Sequence, residues 1–98
     1  MEIKFSRTLT SINLKFATID YHGPGNVETP SDLKLTASLE TTTVGSTTTR
    51  GTYINTYPEG TISFASSSAP FNIVRLELPY SPQGATSFLI DNIAIVTT

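Results

Sequence analysis

Apolar and polar residues alternate with a period of two along much of the chain. Ile12, Leu14 and Phe16 fall on one side, with Asn13 and Lys15 between them. Leu33, Leu35, Ala37 and Leu39 repeat the pattern against Lys34, Thr36 and Ser38. Ile62 and Phe64 do the same, and Val74, Leu76 and Leu78 alternate with Arg75 and Glu77. Successive side chains of a strand point to opposite faces, so each run predicts a strand with one buried face. No window places apolar residues at helical spacing over three turns, which predicts essentially no helix.

Gly, Pro and short polar residues fall between these runs. His22-Gly23-Pro24-Gly25-Asn26 closes the first long strand, Pro30-Ser31-Asp32 leads into the next, and Tyr57-Pro58-Glu59-Gly60 reads as a tight turn before Thr61. Ser66 to Pro70 and Pro79 to Gly84 are further links. The expected strands lie near 3–7, 11–19, 33–39, 43–55 (with an interruption), 60–65, 71–78 and 86–96. Seven or eight short strands separated by turn signals predict an all-β fold, an antiparallel β-sandwich. The triplets Thr41-Thr42-Thr43 and Thr47-Thr48-Thr49 around Val44-Gly45-Ser46 read as a Thr-rich hairpin edge.

The last run departs from simple alternation. Strict alternation puts Phe88, Ile90, Ala94 and Val96 on one face and Leu89, Ile93 and Ile95 on the other. Such a strand is either central or carries a bulge that re-aims its side chains. Asp91-Asn92 stands in its middle, and a carboxylate near a core needs backbone amides, a cation or a turn as partner.

Composition narrows the function. The 98 residues suffice for one domain. Charged residues make up 14%, with a net charge of −2, and the polar balance is Thr and Ser, together more than a quarter of the chain. The β-branched Thr suits a pleated, half-exposed surface. Six scattered Lys and Arg form no stripe able to neutralise a row of phosphates, which argues against nucleic-acid binding. Uncharged apolar runs such as Phe88 to Ile90 are far too short for a membrane-spanning helix. With no Cys there are no disulfides, thiolate zinc sites or cysteine nucleophiles. His22, the only His, has no Cys beside it for a common zinc site. No Gly-x-Ser-x-Gly elbow occurs, and a sandwich this small offers Glu28, Glu40, Glu59 and Glu77 little cleft across which to act in pairs. The residues therefore read as those of a protein that is not an enzyme.

Phe88-Leu89-Ile90-Asp91-Asn92-Ile93 resembles the closing strand of extracellular bacterial jelly-roll domains, which end in Phe-x-Ile/Leu-Asp-Asn/Asp-Ile/Val. Ser11-Ile12-Asn13-Leu14-Lys15-Phe16 resembles their early strand, Leu33-Lys34-Leu35-Thr36-Ala37 the next, and Val44-Gly45-Ser46 the turn after it. Gly60-Thr61-Ile62-Ser63-Phe64 and Phe71-Asn72-Ile73-Val74-Arg75-Leu76 resemble the later pair. These domains are similar to galactose-binding-like and carbohydrate-binding modules. The resemblance implies a jelly-roll-like sandwich, a cell-surface or secreted location of bacterial type, and a non-catalytic binding or adhesion role toward an extracellular glycan or surface protein. Such domains carry some tens of residues before the early strand. The resemblance thus implies that residues 1–98 are a single sandwich domain, a fragment or C-terminal part of a larger exported protein. The chain has no Trp, the usual sugar-stacking residue of such modules.

Candidate ligand-binding residues follow. Tyr21, Tyr53, Tyr57 and Tyr80 lie in or beside expected loops, where an aromatic ring either stacks on a sugar face or covers the end of the sandwich. Tyr53 and Tyr57 share one segment with Arg50 and Asn55, whose side chains suit sugar hydroxyls. Domains of the resembled type hold a structural Ca²⁺ beside the closing strand, and Asp20 and Asp91 match its ligands; local turn capping is the alternative for Asp20 and Asp32. A structural packing or assembly domain with no small ligand is the competing function. Under it Leu89, Ile93 and Ile95 cover a neighbouring element, or a sheet edge makes a homo-oligomer.

Overall fold

The computed structural model describes residues 1–19, 32–53, 58–79 and 87–98. They form seven strands: β1 (Glu2–Ile19), β2 (Asp32–Leu39), β3 (Thr42–Arg50), β4 (Thr52–Tyr53), β5 (Pro58–Ala65), β6 (Phe71–Glu77) and β7 (Ser87–Thr97). There is no helix among the described residues. Every pairing is antiparallel, in the order β3-β2-β6-β1-β5-β4, with β7 on β1. The expected all-β antiparallel, sandwich-like fold is the fold observed.

β1 organises the molecule. Leu9 pairs with Phe71 of β6 and Thr97 of β7, while Ser11 pairs with Ala65 of β5 and Val96 of β7. A strand has two edges, so β6 and β5 lie end to end along one edge of β1 and β7 takes the other. Where they meet, the Ser66 N–H donates to the Thr10 carbonyl at 2.9 Å. Fully straight, the 18 residues of β1 would reach about 60 Å, beyond the 47 Å longest dimension of the molecule. The strand therefore bends, at register shifts between Lys4 and Leu9 against β6 and between Leu9 and Ser11 against β7. Bulges of this kind turn a sheet corner. The two expected strands 3–7 and 11–19 are accordingly one strand, shared between a β3-β2-β6-β1 layer and a β4-β5-β1-β7 layer.

The layers curl over one apolar interior. Leu9, Ile12, Leu14 and Phe16 of β1 meet Leu33, Leu35 and Ala37 of β2, Ile62 of β5, and Phe71, Val74 and Leu76 of β6. Phe64 of β5 packs edge-on against Phe71, ring centroids 5.4 Å apart, and reaches across to β3. A Cβ on Gly45 would lie 2.8 Å from the Phe64 ring, so Gly45 keeps the space that this ring occupies. That explains a difference from expectation. Val44-Gly45-Ser46 lies inside β3, and the reversal is at Glu40-Thr41, because Leu39 pairs with Thr42. Glu40 takes a positive φ of 53°, and the buried Asn72 holds the turn: its Oδ1 accepts from the Glu40 N–H at 3.1 Å and its Nδ2 donates to Glu40 Oε1 at 2.8 Å. Pro58-Glu59-Gly60, expected as a turn, opens β5 instead; Pro has no ladder N–H to lose at the first position of a strand.

Candidate functional site

β7 settles how Asp91 is used. Asn13 pairs with Ala94 and Lys15 with Asp91, so two β1 steps answer three on β7, and Asn92 sits in the bulge with a φ of 52°. Asn tolerates this left-handed conformation better than most residues. The bulge switches parity. Paired residues share a face, so Phe88 and Ile90 point inward with Thr18 and Phe16, and Ile95 points inward with Ile12. Leu89, Asp91, Ala94 and Val96 point outward with Ala17, Lys15, Asn13 and Ser11. The strict alternation expected from the sequence fails at Asn92, and β7 is an edge strand with β1 as its partner among the described residues. Asp91 is exposed, and its Oδ1 accepts from the Asn92 N–H at 2.8 Å. The carboxylate caps its own bulge and is not buried in the core.

The same register builds a surface site on the outer face of β7-β1-β5. Lys15 stands between Thr61 of β5 and Asp91 of β7. One step along, Ala17 stands between Glu59 of β5 and Leu89 of β7, and Thr52 of β4 lies beyond Glu59. The short Ala17 among longer neighbours leaves a dip. Two open depressions meet here: one of about 260 Å³ lined by Lys15, Phe16, Glu59, Gly60 and Thr61, the other of about 160 Å³ running from Lys15 and Glu59 to Leu89 and Asp91. Both fall below the roughly 300–1,000 Å³ of pockets that enclose a small ligand. Phe16 forms the floor from beneath, its ring against Gly60, where a Cβ would come within 3.0 Å.

Arg50 and Tyr53 lie apart from Asp91 in the chain's pairing scheme. Arg50 ends β3, and its Nε donates to Asp32 Oδ1 at 2.9 Å across the β2–β3 pair. Asp32 thus serves a cross-strand ion pair. The backbone of Tyr53 pairs with Pro58, one step from the Thr52–Glu59 pair that flanks the dip. Asn55, Tyr57 and Asp20 lie outside the described residues, as do Tyr21, His22, Asn26, Glu28 and Tyr80. Among the described residues no group of three or more His, Cys, Asp or Glu side chains gathers for a metal ion. Asp91 is the one expected Ca²⁺ ligand described, and its Oδ1 is already engaged by Asn92. The described residues do not assemble a calcium shell. Sequence reasoning did not single out Lys15, Ala17 or Thr61, and named Glu59 and Leu89 only in other roles, because only the strand register brings the five together.

No protein-family model matches the chain, and no curated protein or solved structure matches it.

Proposed function

We propose that this chain is a non-catalytic binding module of an exported protein, jelly-roll-like in the manner of galactose-binding modules, with the outer β7-β1-β5 face as its contact surface. The observation that carries the reading is the row across three strands, with Lys15, Glu59, Thr61 and Asp91 around the low apolar patch of Ala17 and Leu89. A sugar ring offers hydroxyls at its rim and C–H bonds on its face, the same two chemistries in the same relative places. The two carboxylates outnumber the single ammonium, so a neutral, hydroxyl-rich polymer suits this face better than a polyanion. The open shape favours an extended chain lying across it. The reading needs no calcium ion.

Binding to a panel of insoluble and soluble polysaccharides tests it. Lys15→Ala and Glu59→Gln should each weaken retention about tenfold or more, the effect of losing a hydrogen bond of roughly 1.5–3 kcal/mol to a charged group. Both side chains lie on the outer face, so folding should be unchanged. Retention equal to wild type in both variants, or no binding to any panel member, would sink the proposal. A second reading, a packing domain of an exported assembly, draws its support from the apolar residues that β7 leaves exposed.

A further inference from the structure

Among the described residues, four of the five large apolar side chains that stand exposed belong to β7: Leu89 (59%), Val96 (56%), Ile93 (45%) and Ile95 (44%). Among the described residues, the backbone of this strand has one free edge. The Thr98 N–H donates to the Thr8 carbonyl at 3.0 Å, and the Thr10 hydroxyl reaches the Val96 carbonyl at 3.4 Å, so Val96 and Thr98 turn toward β1. In an antiparallel strand the intervening residues turn the other way. Ile93, Ile95 and Thr97 therefore present their N–H and C=O groups outward. Apart from the bulge at Asn92, two devices that usually blunt an edge are missing: Asn92 to Thr98 contains no charged residue and no Pro.

We propose that β7 pairs antiparallel with β7 of a second copy of this chain, about a two-fold axis through Ala94. In that register Ile93 of one copy lies opposite Ile95 of the other, twice. All four are residues whose backbone groups face the free edge, so each Ile–Ile pair exchanges two main-chain hydrogen bonds. Both isoleucines lie on the inward side, where the core stops short of them, and each covers the other's exposed half. Ala94, outward and small, meets itself. The only charge on β7, Asp91, falls opposite Thr97 of the other copy, so no carboxylates oppose each other. A two-fold axis at Ile95 would instead set Ile93 against Thr97, and pairing with the Thr-rich β3 would face isoleucine with hydroxyls and propagate as an open chain. The inference rests on the packing reading for its biological use.

Because the chain has no cysteine, one introduced at the axis reports the register directly. Opposed residues of a non-hydrogen-bonded pair have Cα atoms roughly 4.5 Å apart, within disulfide range. The Ala94→Cys protein under a mild thiol oxidant should convert to a covalent dimer at least tenfold faster than the Val96→Cys or Thr48→Cys proteins. Sedimentation of the wild type should show a mass rising with concentration to twice 10.6 kDa and no further. Ile93→Lys with Ile95→Lys should abolish the rise by setting like charges opposite each other; if that pair does not fold, Ile95→Lys alone should still suppress it by setting a lysine against each Ile93. Wild-type protein that stays monomeric at every concentration overturns the dimer and leaves packing against a different chain in place. A dimer that crosslinks faster through Val96→Cys, or that survives the lysine variants, overturns this register while leaving packing in place. Growth past the dimer overturns the two-fold arrangement.

Discussion

The two long edge strands, β3 and β7, have similar lengths and opposite surfaces. β3 borders the layer whose interior is complete: Phe64 reaches across to it above Gly45, and the side chains it turns to water are Ser, Thr and Arg50, the last tied to Asp32. β7 borders β1, and beyond Phe88 and Ile90 its residues are all exposed, Ile93, Ile95 and Val96 among them. One edge is finished with hydroxyls that water satisfies. The other is written in the residue types of a central strand and has one neighbour among the described residues. An apolar strand thus does not make its own burial; what lies across from it does.

The largest test of this contrast compares β1 with β7 directly across the bulge. Leu14→Ala should cost about 2–5 kcal/mol in urea unfolding, as for a fully buried leucine, whereas Ile95→Ala in the monomer should cost well under half as much. Equal losses would mean that β7 is packed as tightly as β1. On the other edge, Gly45→Val should lower stability by about 1–3 kcal/mol, because the new side chain must displace the Phe64 ring and its edge-on contact with Phe71. A neutral result would show that Phe64 does not bind β3 to β5. Smaller and of opposite sign is Thr18→Val. The Thr18 hydroxyl is fully buried beside Phe88 with no hydrogen-bond partner among the described residues, so a methyl group there should raise stability by about 1 kcal/mol. A fall in the melting temperature would instead reveal a partner for that hydroxyl. The smallest change is expected for Thr48→Val, an exposed edge position where stability should stay within about 0.5 kcal/mol.

Much of the architecture was legible in the residues. Period-two runs at Ile12–Phe16, Leu33–Leu39 and Val74–Leu78 located β1, β2 and β6, and their inward members are the core. Three features were not. The continuity of β1 through Thr10 depends on β5 and β6 sharing one of its edges, and neither neighbour leaves a mark on residues 8–10. Gly45 looked like a turn because glycine usually signals one, yet here it makes room for an aromatic ring from the opposite layer. At Asn92, alternation breaks inside a strand. The sequence shows only that Leu89, Ile93 and Ile95 fall out of step with Phe88 and Ile90, and a bulge is what brings the inward set back into line. The candidate surface was the least legible of all. Lys15, Glu59 and Asp91 are separated by 44 and 32 positions, and an ordinary outward lysine or glutamate gives no local sign of the neighbours that register will bring.

The position of β1 also sets an order for folding during synthesis. It is the first of the seven strands to be translated, yet β5, β6 and β7, which occupy both its edges, all begin at Pro58 or later. At roughly 5–20 residues per second, the interval between Ile19 and Pro58 is about 2–8 s. Throughout it a strand carrying Ile12, Leu14 and Phe16 has none of these three partners to pair with. Contacts that span most of a chain also close slowly. The arrangement that lets one strand belong to both layers therefore leaves an apolar strand waiting for its partners, and moving β1 to the C-terminus by circular permutation should shorten that wait.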